Sequence, residues 1–108
     1  VDTLIESKYP ETLEALNTLQ KMQLELFYKK LSDYGPGNIS LGTRLENEED
    51  INFALLAIAF RMNDKVQRLM NLLKRNTNPQ NEPIIDTLDD LATYALIARI
   101  VMAGNWGK

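Results

Sequence analysis

Apolar residues recur at three- and four-residue spacing through three long stretches of this chain, and nowhere does period-two alternation last long enough to make a strand. That pattern predicts an all-α fold. The first stretch opens at Pro10, where a missing N–H matters little at a helix start, and carries Leu13, Leu16, Leu24, Phe27 and Leu31 to about Ser32. Asp33-Tyr34-Gly35-Pro36-Gly37-Asn38 then breaks the pattern. Residues 1–9 read as a weakly amphipathic lead-in, and 39–46 as a connector of undefined form. A second helix is expected from Asn47, a good N-cap followed by Glu48, Glu49 and Asp50 in the first turn. It runs to Arg75. After a polar loop at 76–81, a third helix begins at Pro83, capped by Asn81 or Glu82, and stops at Gly104.

The second and third helices are apolar on more than one face, over FALLAIAF (53–60) and YALIARIVMA (94–103). A helix that is hydrophobic nearly all round is one that is buried nearly all round. Three helices in 108 residues cannot supply that burial alone. The expectation is a helical bundle of three main helices completed by homo-oligomerisation, as a homodimer or higher. Residues 10–108 are read as one domain.

Two charged stripes interrupt these apolar helices: Arg61, Asp64, Lys65 and Arg68 on the second, and Glu82, Asp86 and Asp90 on the third. Each falls on one helix face. A charge near a buried surface needs a partner or a metal. The stripes either neutralise each other or hold a divalent cation and a polyphosphate between them. A negative first turn accounts for Glu82 and Asp86 but poorly for Asp90, because the helix dipole effect fades beyond that turn. For the basic stripe, a solvated face competes with phosphate recognition, which suits arginine and lysine at this spacing. Gly-Pro-Gly between Asp33 and Asn38 is ordinary turn chemistry, although glycine backbone also lets a ligand approach closely.

The chain has neither cysteine nor histidine. That excludes disulfides, zinc-type ligation and Cys/His or Ser/His nucleophiles. A metal would need carboxylates, which suit Mg²⁺ or Mn²⁺. The net charge of −3 without a basic tail argues against duplex nucleic acid as a partner. Apolar runs are too short to span a bilayer, and Asp2 and Glu6 interrupt any signal-peptide reading. A cytoplasmic protein is expected.

Taken in order, KKLSDYGPGN (29–38), RMNDKVQRL (61–69), NEPIIDTLDDLATYALIA (81–98) and GNW (104–106) resemble the phage-associated "nucleotide modification associated domain" family. Those small helical proteins are similar to MazG-like all-α nucleoside triphosphate pyrophosphohydrolases. The resemblance spans residues 25–106 and is most specific in the Asp-Lys-x-x-Arg-Leu and Asn-Glu-x-x-x-Asp-Thr-x-x-Asp-Leu-Ala segments. It implies a Mg²⁺-dependent (deoxy)nucleoside triphosphate pyrophosphohydrolase, in the host cytoplasm if phage-encoded. Asp86 and Asp90 would be metal ligands, with Asp64 and Glu82 completing the shell. Arg61, Lys65 and Arg68 would meet the phosphates, and Asp33 and Asn38 would lie at the nucleotide. Tyr94 would stack on a base or, more simply, pack.

The family's Glu-x-x-Glu is missing from the body of the second helix. Glu46-x-x-Glu49 has the letters but lies at the helix start, where capping accounts for it, and Glu25 on the first helix is a further acid. Two other readings therefore stand beside catalysis. One is a non-catalytic nucleotide-binding or scavenging protein. The other is a structural helical oligomer with a buried ion-pair network.

Overall fold

The computed structural model describes residues 3–75 and 82–108. Its elements are all helical: α1 (Thr3–Lys8), α2 (Pro10–Tyr34), α3 (Gly37–Ser40), α4 (Glu48–Arg75) and α5 (Glu82–Met102). No strand occurs among the described residues, so the all-α expectation holds. The expected loop at 76–81, with Asn81 as an alternative cap, lies outside the described residues, as do the first two residues of the lead-in. The chain divides into two compact units, Val1–Asp33 and Tyr34–Lys108.

The first unit holds α1 and nearly all of α2. The weakly amphipathic lead-in is helical from Thr3 to Lys8. Its hydrogen bonding passes through Tyr9, whose N–H donates to Ile5 O (2.9 Å) and whose carbonyl accepts from Leu13 N–H (3.2 Å). Pro10 has no N–H to donate, which explains why α1 and α2 are separated at just this point. No residue of either helix is buried.

In the second unit, α4 and α5 pack as a hairpin. Ala54 and Ile58 of α4, and Ile84, Thr87, Ile97 and Val101 of α5, are buried. Ile39 of α3, Leu45 and Trp106 complete the core. Asn47 caps α4 as expected: its Oδ1 accepts the Asp50 N–H at 2.8 Å, while its Nδ2 donates to Asp50 Oδ2 at 2.9 Å. These two bonds satisfy an orphan donor and fix the capping side chain.

The far end of α5 closes in a Schellman motif. Gly104, at φ 76°, donates to Val101 O (3.0 Å), and Asn105 N–H reaches Ile100 O (3.1 Å). The predicted stop at Gly104 is thus the residue in the left-handed conformation, two positions past the last helical residue. α2, by contrast, runs two residues beyond Ser32. Asp33 and Tyr34 accept helical geometry, and the break falls at Gly35, where φ becomes +67°.

One turn of helix, α3, spans the end of the expected break and the start of the connector, and the connector holds two leucines in the left-handed region, Leu41 and Leu45, both at φ 55°. Each costs about 1–2 kcal/mol relative to right-handed geometry. Burial of Leu45 and the bond from its N–H to Thr43 Oγ1 (3.3 Å) offset that strain locally. Leu41 instead closes α3, its N–H donating to Gly37 O at 3.0 Å.

Candidate functional site

The hairpin brings the centres of the two charged stripes together. Lys65 Nζ lies 2.9 Å from Asp90 Oδ2, with the side chains 31% and 22% exposed respectively. At this depth neither group is removed from water completely. This contact accounts for Asp90, the acid that helix capping left unexplained. It also sets the residues around Lys65 at the same level of the hairpin as those around Asp90.

The remaining members of the stripes behave differently. Arg61 is half-buried, and its Nη2 donates to Asn38 O at 2.9 Å. It thereby ties α3 to α4, and the Asn38 carbonyl serves the fold. Arg68, Asp64, Asp86 and Glu82 are exposed. Among the described residues, Arg68 and Asp86 make no ion pair. Tyr94, one turn beyond Asp90, is half-buried on α5, in keeping with packing. Glu49 lies in the first turn of α4, where the dipole reading put it. Asp33 and Glu25 belong to the first unit.

The donor chemistry can be tested against a divalent cation. No cluster of three or more acidic side chains able to share one ion occurs among the described residues. Asp86 and Asp90 are one turn apart, about 5–6 Å between Cβ atoms, and Asp86 is open to solvent. Mg²⁺ usually keeps several waters and takes one or two carboxylates plus substrate phosphates. The two carboxylates do not make an all-protein cage; an ion held by them would need waters or other oxygens for the rest of its shell.

A second constellation joins GPGN and GNW, two segments far apart in sequence. Trp106 Nε1 donates to Pro36 O at 3.0 Å. The same oxygen accepts the N–H groups of Ile39 (3.1 Å) and Ser40 (3.2 Å) and the Ser40 hydroxyl at 3.3 Å. Gly107, at φ 75°, lies so close to the proline ring that an added Cβ would come within 3.2 Å of it. These segments latch the tail after α5 onto the start of α3. Beside the latch is an open cleft of about 270 Å³, lined in part by Arg44, Glu46, Trp106 and Lys108. Nothing in the local pattern of either segment signals this contact, because it joins positions 70 residues apart.

No protein-family model, curated protein or solved structure matches this chain.

Proposed function

We propose that the α4/α5 hairpin binds a (deoxy)nucleoside triphosphate and that the protein hydrolyses it to the monophosphate and pyrophosphate, as a MazG-like pyrophosphohydrolase of nucleotide metabolism. The observation that supports this reading is the Lys65–Asp90 contact, in which one residue of each charged stripe meets the other across the hairpin. The family resemblance over residues 25–106 supplies the reaction. Lys65 and Arg68 meet phosphate oxygens, where their positive charge favours the negative charge that builds on departing pyrophosphate. Asp86 and Asp90 hold Mg²⁺, which supplies charge neutralisation and a water of lowered pKa when bound. Asp64 and Glu82, both exposed, would complete the ion's shell directly or through water. Arg61 holds α3 in place and thereby positions the backbone of Asn38. The working form is a bundle of the three long helices completed by a second copy, in the cytoplasm.

The ion pair itself favours a second reading, in which the stripes only join two helices. Incubation with a panel of NTPs and dNTPs plus Mg²⁺ or Mn²⁺, followed by ³¹P NMR, separates the two. Monophosphate and pyrophosphate, absent with Asp90→Asn, are expected. Intact nucleotides throughout would leave only binding, and no response of any kind would leave the structural role.

A further inference from the structure

The outer face of α5 repeats with heptad spacing. Ile85, Leu88, Ala92, Ala95, Arg99 and Met102 follow one another at intervals of three, four, three, four and three, and all six are exposed. Ile85, Leu88 and Met102 are 41%, 50% and 59% exposed. The inner residues Ile97 and Val101, on the other side of the helix, are buried. A seam of this spacing over about 26 Å of helix is the surface by which one helix packs lengthwise on another.

Its order of sizes is nearly symmetric about the midpoint between Ala92 and Ala95. Laid antiparallel on a copy of itself, the seam sets Ala92 against the partner's Ala95, where two small side chains allow close approach. Leu88 then meets the aliphatic stem of the partner's Arg99, and Ile85 meets the partner's Met102. A two-fold axis generates every such contact twice.

The charges select the same orientation. The side chains of Arg99 and Asp89 have no hydrogen bond or ion pair among the described residues. Helical side chains lean toward the N-terminus of their own helix, so in the antiparallel arrangement each Arg99 guanidinium reaches the partner's Asp89. A parallel pairing would oppose arginine to arginine and aspartate to aspartate, which is destabilising.

We propose that α5 is the dimer interface of this protein, pairing antiparallel with α5 of a second copy about the Ala92–Ala95 midpoint, with Arg99 and Asp89 of the two copies as reciprocal ion pairs. This inference rests on the homo-oligomer of the preceding section for its second copy and is independent of the nucleotide chemistry.

Sedimentation equilibrium of the wild type, Arg99→Glu, Asp89→Arg and the double variant tests it, with circular dichroism as the check on folding. A wild-type dimer is expected, with each single reversal raising the dissociation constant about tenfold or more. The double variant should return toward the wild-type value. Because the chain has no cysteine, orientation can be read from introduced ones. Under oxidation, Ile85→Cys mixed with Met102→Cys should form a disulfide-linked dimer, and neither should do so alone. A monomeric wild type overturns the proposal, as does a dimer indifferent to both reversals. A cross-linked dimer from Ile85→Cys alone overturns it in favour of a parallel pair. A monomer that still turns over nucleotide would sink this inference and leave the proposed function standing, while an antiparallel dimer inert to nucleotides would do the reverse.

Discussion

Thr93 lies inside α5 with 5% of its surface exposed, and its hydroxyl finds no partner among the described residues. Thr87, two turns earlier and equally buried, donates its hydroxyl to Pro83 O at 2.7 Å. The contrast sets an expectation for each. A buried hydroxyl without a partner costs about 1–3 kcal/mol, and valine fills nearly the same shape without that group. Thr93→Val should therefore raise stability by about 1 kcal/mol in chemical denaturation, whereas Thr87→Val should lower it. Equal losses in both would show that the Thr93 hydroxyl is satisfied. Neither outcome is readable from sequence, since both threonines occupy similar helical surroundings. Lys65 and Asp90 differ in this respect. Their spacing placed each on a charged face, and only their mutual contact required the hairpin register.

At the level of elements, most of the chain is legible because its signals are local. Asn47 and the three acids after it mark the start of α4, and the cap forms as the residue types predict. Removing it in Asn47→Ala should lower stability by about 1 kcal/mol, visible as a reduced denaturation midpoint with unchanged slope. Gly104 likewise marks the end of α5 because only a left-handed residue closes that motif cheaply. What escaped the sequence was non-local or strained. The left-handed Leu41 and Leu45 carry no glycine signal, and they hold their geometry through the closure of α3 and through core burial. The Trp106–Pro36 latch depends on a contact that no periodicity encodes. The Arg61–Asn38 bond, which braces α3, likewise joins residues far apart in sequence.

At the scale of the whole molecule, the hairpin of the second unit carries apolar side chains that its own packing leaves exposed. Phe53, Leu56 and Phe60 on α4 are exposed along with the α5 seam, and no helix among the described residues is long and apolar enough to cross a membrane. In the proposed dimer, pairing between copies would cover the α5 seam and leave the charged side of the hairpin open. On the proposed function this charged side would take a metal–triphosphate, and Asp90 would leave Lys65 to hold Mg²⁺. Thermal melting of the wild type and Asp90→Asn, with and without Mg²⁺ and a saturating dNTP, tests it most directly. Without ligand, Asp90→Asn should melt a few degrees lower, from the loss of a half-buried pair contributing about 1 kcal/mol. With ligand, the wild-type midpoint should rise by several degrees, because a ligand that binds only the native state stabilises it, and the variant should not respond. An equal rise in both proteins, or none in the wild type, would contradict the account.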